Sequence, residues 1–170
     1  MRLFYALKLP KKGKDYAENM MQQLHPFLQS GTPTPTERLH LTLLFLGETD
    51  AAYLLSLKEI LKDVSVAEDP LSFQSLVAFQ NGSLIAAALK VSPRLKQLQK
   101  KITDSVLTLG LNAEVKPFRP HVTLLRNASY ELPFSELKKN VLVFNKPFYA
   151  EGIGLFSSER INGKLVYREL

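Results

Sequence analysis

Two short runs, close to half a chain apart, limit what this protein can be more than anything else in it. Leu39-His40-Leu41-Thr42-Leu43-Leu44 and Pro120-His121-Val122-Thr123-Leu124-Leu125 each set a histidine and a threonine one residue apart in an otherwise apolar stretch. The chain has three histidines, and two of them stand here. With apolar types at 45% and Thr at roughly one residue in twenty, a given histidine gains this apolar-Thr-apolar sequel by chance on the order of one time in a hundred. Its double occurrence therefore points to a shared role. On a β-strand successive side chains alternate between faces, so His40 and Thr42 point one way while Leu41 and Leu43 point the other. The same holds for His121 and Thr123 against Val122 and Leu124. At about 3.3 Å of rise per residue, imidazole and hydroxyl start roughly 7 Å apart, a span the side chains can close around one phosphate group.

Around these runs the pattern alternates between helix and strand. Arg2 to Lys8 reads as a strand and Asp15 to Leu28 as a helix interrupted near Pro26. Gly31-Thr32-Pro33-Thr34-Pro35-Thr36 reads as an extended loop that feeds the first motif strand, Leu39 to Leu46, which Gly47-Glu48-Thr49-Asp50 ends. Asp50 caps a second helix with Leu54, Leu57, Leu61 and Val64 on one stripe. Leu71 to Phe79 and Ser83 to Val91 form a hairpin through Asn81-Gly82. Ser92-Pro93 opens a third helix, carrying Leu95, Leu98, Ile102, Val106 and Leu109, that stops at Gly110. Glu114 to Pro117 leads into the second motif strand, Pro120 to Leu125, and further strands are predicted at Val141 to Phe144, Tyr149 to Phe156 and Lys164 to Arg168, the last pair turning at Asn162-Gly163. Each motif strand follows a helix, which predicts two structurally similar halves.

A chain of 170 residues suits one well-buried unit, so residues 1–170 are expected to form a single two-lobed domain. No segment has the apolar length of a membrane span, the amino-terminal residues lack the pattern of a signal peptide, and there is no cysteine. A cytoplasmic monomer without membrane contact is the expectation. Lys and Arg number 22 against 16 Asp and Glu, which favours a polyanionic partner, although the basic residues are scattered enough to be solvated faces.

Histidine titrates near neutrality, so one imidazole can take a proton from water while a second gives one to a leaving oxygen, as displacement at a phosphodiester requires. Threonine hydroxyls can donate to the non-bridging oxygens where charge grows. The rival readings are weaker. A lone strand histidine is more often a satisfied core residue than a catalyst, but a matched pair is not. Zinc asks for three or four protein ligands, and the motifs place Thr where a further His would stand, so no metal and no cofactor is expected. His25 lies before Pro26 with no matching chemistry nearby and reads as structural or merely exposed, and Gly152-Ile153-Gly154 lacks the third glycine and helix of a nucleotide loop.

The segments from Arg38 to Glu48 and from Phe118 to Arg126 resemble the paired signatures of the two-histidine phosphoesterase superfamily, and more narrowly the RNA 2′,3′-cyclic phosphodiesterases, first described as 2′-5′ RNA ligases. The likeness extends to Met1-Arg2-Leu3-Phe4 and to Leu155-Phe156-Ser157-Ser158 with Gly163 and Tyr167, while the middle helices and the Gly31 to Thr36 loop show no match. The resemblance implies an α+β fold of two similar lobes, with antiparallel sheets facing a central cleft and helices on the outside. It implies His40 as proton donor, His121 as proton acceptor, and Thr42 and Thr123 holding the phosphate. It carries the family's arginine onto Arg126 and its aromatic onto Phe45, as substrate contacts, though Phe45 also reads as strand-end packing. The implied activity is hydrolysis of 2′,3′-cyclic phosphate ends of RNA or oligonucleotides to 2′-phosphate. The alternatives are the same chemistry on another small cyclic phosphate or a 2′-5′ linkage, and a non-catalytic module that binds RNA ends.

Overall fold

The computed structural model describes residues 1–66, 69–112 and 117–170, with Lys164 described by its backbone alone. In chain order the elements are β1 (Arg2–Lys8), α1 (Lys11–Leu24), β2 (Leu28–Pro33), β3 (His40–Glu48), α2 (Leu54–Lys62), β4 (Phe73–Phe79), β5 (Leu84–Leu89), α3 (Pro93–Thr108), β6 (His121–Tyr130), α4 (Phe134–Leu137), β7 (Gly152–Ile161) and β8 (Lys164–Glu169). The strands form two antiparallel four-stranded sheets, ordered β3-β1-β7-β8 and β2-β6-β5-β4. This is the α+β architecture expected, with α1 packed on β6 of the second sheet and α2 on β7 of the first.

Local chemistry accounts for most boundaries. The Ser92 hydroxyl accepts the Leu95 amide at 3.0 Å, Pro93 occupies the first turn of α3, and Gly110 lies just beyond it at φ +77°. Asp50 accepts from the Ala52 amide and caps a 3₁₀ turn that runs into α2. The β7–β8 hairpin turns on Asn162 and Gly163, both at positive φ, the two-residue geometry that matches strand twist. Leu3, Tyr5 and Leu7 on one face of β1 join the main core with Leu41, Leu57, Ile85, Val122 and Leu124. The Tyr5 hydroxyl donates to the Leu57 carbonyl at 2.8 Å and ties α2 to the sheet.

Four sequence expectations are corrected. The Gly31–Thr36 run is not all loop, because residues through Pro33 belong to β2, which pairs with β6. Proline is tolerated there because β2 is an edge strand and one of its sides needs no donors. The first helix runs from Lys11 to Leu24 rather than from Asp15 to Leu28. Its first turn escapes apolar periodicity because Gly13 packs by being small, where an added Cβ would lie 3.0 Å from the Phe148 ring. Val141 to Phe144 is not a strand. The Leu142 amide donates to Gln23 Oε1 at 2.7 Å and the Leu142 carbonyl accepts from Gln23 Nε2 at 3.2 Å, so a side chain of α1 replaces the ladder. The expected strand from Tyr149 begins only at Gly152 and continues to Ile161. Residues 114–116 of the expected lead-in to the second motif strand lie outside the described residues.

The two sheets also do not divide the chain into an amino-terminal and a carboxy-terminal half. The early strand β2 completes the second sheet, and the late strands β7 and β8 complete the first. Gly152 and Gly154 of β7 serve this arrangement. Lys8 reaches over β7 to Glu169 on β8, 2.8 Å away, and an added Cβ at Gly154 would lie 2.8 Å from both the Glu169 carboxylate and the Phe156 ring. Gly154→Ala is expected to cost about 1–3 kcal/mol in urea unfolding through this overpacking. Gly152→Ala should cost less, because its new Cβ meets only the flexible Lys8 stem at 3.2 Å. Equal losses would remove the overpacking argument.

Candidate active site

Each motif strand carries a β-bulge directly after its threonine. In β3, Thr42 stands opposite Ala6 and Leu44 opposite Tyr5, so Leu43 is the extra residue. In β6, Thr123 stands opposite Ala86 and Leu125 opposite Ile85, so Leu124 is the extra residue. A bulge resets the alternation of faces. Strict alternation sends the fifth residue after each histidine to the face away from it, whereas the bulge returns that residue to the histidine's side. Phe45 thus lies opposite Phe4, whose ring is 5.1 Å from the His40 ring, and Arg126 lines the same cleft as Thr123 and His40. A second irregularity, at Asn127 with φ +51°, follows Arg126 where β6 pairs with β2.

The histidines are held alike. His40 Nδ1 lies 2.6 Å from the Arg38 carbonyl, and His121 Nδ1 lies 2.7 Å from the Arg119 carbonyl. A carbonyl oxygen can only accept, so each Nδ1 carries the hydrogen and each Nε2 is left for chemistry. The Thr42 hydroxyl, 3.1 Å from His40 Nε2, donates to the neutral ring. Burial lowers the pKa of His40 below the ordinary histidine value; the Arg38 carbonyl opposes this, and the neighbouring Arg126 and His121 lower it further. Two strands from different sheets therefore bring their charges to bear on one another.

The cleft has a volume of about 770 Å³ and is lined by His40, Thr123 and Arg126, together with Arg38, Arg160 and Tyr167 among others. Thr42 is not part of this lining and is tied to it by its hydrogen bond to His40. His121 is partly buried with its ring 4.9 Å from that of Phe79, and it is not part of this lining. Phe45 is 55% exposed and lines a neighbouring cavity of about 340 Å³ with Arg2, Phe4 and Asn112. His25 sits exposed on the turn after α1, away from the cleft lining. The sequence reading did not place the ring cluster about His40. Phe4 packs against His40, Phe45, Phe156 and Tyr167, and Tyr167 meets His40 edge-on at 5.2 Å. Alternation on β1 offered a signal, since it puts Phe4 on the face opposite the core residues Leu3 and Tyr5. Among the described residues no group of three His, Cys, Asp or Glu side chains is placed to hold a metal ion, and no helix is long and apolar enough to cross a membrane.

Paired histidine–threonine strands on two facing sheets are the mark of a phosphoesterase, and the comparison with known families agrees. The family described as LigT like Phosphoesterase matches residues 7–84 and 88–167, one motif in each segment, and the chain belongs to that family. The RNA 2′,3′-cyclic phosphodiesterase of Escherichia coli (strain K12) is 29% identical over 129 residues, 75% of this chain and 73% of the relative. The protein of the same name from Archaeoglobus fulgidus is 30% identical over 129 residues, 74% of this chain and 72% of the relative. A crystal structure of a Thermus thermophilus protein superposes with TM-score 0.83 at 27% identity, over 100% of this chain and 95% of that one. E. coli LigT complexed with 3′-AMP superposes with TM-score 0.78 at 24% identity, over 99% of this chain and 94% of that one, a likeness of fold.

The lowered pKa of His40 links folding to pH. The unfolded chain binds a proton at the ordinary histidine value of about 6.5, whereas the folded protein resists it. The contribution of His40 to stability is therefore complete above about pH 6.5 and is lost as pH falls through the lowered folded value. Urea unfolding is expected to show stability declining from about pH 6.5 downward, with a shallower decline in His40→Asn. An unchanged slope in that variant would mean that the ring is not desolvated in the folded protein.

Proposed function

We propose that this phosphoesterase opens the 2′,3′-cyclic phosphate at the end of an RNA or oligonucleotide and leaves a 2′-phosphate, with His121 as general base and His40 as general acid. The observation that carries this reading is the matched pair of imidazoles, each with Nδ1–H fixed on the carbonyl two residues earlier and Nε2 left for proton transfer. Simple phosphate binding is better served by permanently charged side chains, so two such imidazoles favour turnover over a binding module. The names of the relatives, RNA 2′,3′-cyclic phosphodiesterases, supply the substrate class.

In this reading water attacks phosphorus and gives its proton to His121 Nε2. The bond from phosphorus to the 3′ oxygen breaks, and that oxygen takes the proton from His40 Nε2. The product is a 2′-phosphate monoester beside a free 3′-hydroxyl. His40 is disposed to be neutral before the ligand arrives, and the negative cyclic phosphate raises its pKa so that the ring binds the proton it will donate. Once Nε2 is protonated it no longer accepts from Thr42, and that hydroxyl is freed to donate to a non-bridging oxygen alongside Thr123. Arg126 neutralises the charged end, and the exposed Phe45 ring stacks on the terminal base. The reaction calls on no metal, so chelator should leave turnover unchanged.

His40→Ala and His121→Ala are each expected to lower turnover of a cyclic-ended RNA by roughly 10²–10⁴, with the double variant little worse than the poorer single one. A variant that keeps more than a tenth of the activity removes its histidine from the mechanism. The products should be 2′-phosphate and free 3′-hydroxyl ends. Predominant 3′-phosphate would reverse the acid and base roles, and binding without turnover would return the protein to a binding module.

The pH profile separates the free from the bound site. Because bound phosphate raises the pKa of His40, the alkaline limb of kcat should lie at higher pH than the alkaline limb of kcat/KM. Coincident limbs would show that His40 is not the acid.

A further inference from the structure

We infer that the cleft contains a second anion position, formed by Arg38 and Arg160, that takes the phosphodiester one nucleotide to the 5′ side of the reacting end. The inference rests on the reading above that the ligand is RNA, and it extends that reading from the terminal phosphate to the chain behind it. Arg160 on β7 stands directly opposite Leu165 on β8, and Arg38 Nη1 donates to the Leu165 carbonyl at 2.5 Å. Arg160 Nη1 reaches the Gly163 carbonyl at 3.4 Å. The same hairpin therefore holds two guanidinium groups, each spending one N–H on a backbone carbonyl and keeping the others of its five donors.

Their electrostatic setting points to an anion. The cleft lining contains Arg38, Arg126 and Arg160 against one carboxylate, Glu37. Among the described residues neither Arg38 nor Arg160 forms an ion pair with Glu37 or with any other carboxylate. Two guanidinium groups on one cleft wall, with no carboxylate paired to either among the described residues, leave positive charge that a phosphate bound between them would neutralise.

Position along the sheet supplies the spacing. Tyr167 touches His40, Leu165 lies two residues back on the same face of β8, and Arg160 faces Leu165. Two residues of strand amount to about 7 Å, the scale of one nucleotide step along an extended chain. The wall beside this path is Thr32-Pro33-Thr34-Pro35, whose prolines offer no backbone donor.

The test is a cycle between protein and ligand charge. Calorimetry would compare a ribodinucleotide ending in a 2′-phosphate with the same molecule carrying a neutral methylphosphonate at its internal linkage. The proteins are wild type, Arg160→Gln and, as a charge control on the outer face of α3, Lys100→Gln. Wild type and Lys100→Gln should bind the charged dinucleotide roughly tenfold more tightly than the neutral one, and Arg160→Gln should lose most of that preference. Equal binding of the two ligands by wild type, including no binding of either, overturns the inference. So does a preference that survives in Arg160→Gln. Turnover of a nucleoside 2′,3′-cyclic phosphate, measured beside it, keeps the two readings apart. Hydrolysis without charge preference retains the function and removes the second site, whereas charge preference without hydrolysis does the reverse.

Discussion

An extra residue directly after the threonine of each motif strand decides on which face Phe45 and Arg126 stand relative to the histidines. Leu43 and Leu124 are both buried, and each follows a Thr that faces an alanine across the ladder. Burying two successive leucines on a strand is not compatible with strict alternation, so the backbone takes up the difference as a bulge, and the residue after the pair is turned back toward the histidine. The apolar core thus aims Phe45 and Arg126. Each leucine pair is held by core contacts that a polar replacement would forfeit, which makes the direction of a cleft residue a property of packing on the opposite face.

Much of this was legible in the residues. The histidine and threonine pairs, the capped helix at Ser92-Pro93 and the hairpin turns at Asn81-Gly82 and Asn162-Gly163 are local signals, and local chemistry determines them. Pairing partners are not local. Nothing near Leu28–Pro33 announces that β6 will accept it as an edge strand, and nothing near Val141–Phe144 announces that Gln23 will satisfy its backbone. The bulges fall between these cases. Their trace is present as Leu43-Leu44 and Leu124-Leu125 ahead of Phe45 and Arg126, but an apolar pair in an apolar strand becomes informative only when both members are seen to be buried.

The surroundings of His40 show how a buried ring stays responsive. Phe4 and Tyr167 exclude water from it, the Arg38 carbonyl fixes its tautomer, and Arg126 supplies nearby positive charge. Two of these residues, Phe4 and Arg38, are also tied elsewhere. Phe4 packs on Phe156, and Arg38 bonds Leu165 through its guanidinium while its carbonyl holds His40. Arg38 therefore joins the orientation of the imidazole to the position of the β7–β8 hairpin, and a shift of either is felt by the other.

The strand order has a consequence for when the site comes into being. Phe4 is paired with Phe156, and the ring that closes over His40 belongs to Tyr167, so the first sheet joins the beginning of the described chain to its end. A polypeptide emerging in order from the ribosome can form β1 and β3 early, but β1 keeps an unpaired edge until β7 arrives. Such long-range pairing is slow relative to local helix formation. The cleft is therefore among the last parts of the molecule to assemble, and a chain interrupted before Gly152 presents the first histidine on an unfinished sheet, with Phe4 beside it but without the Tyr167 ring.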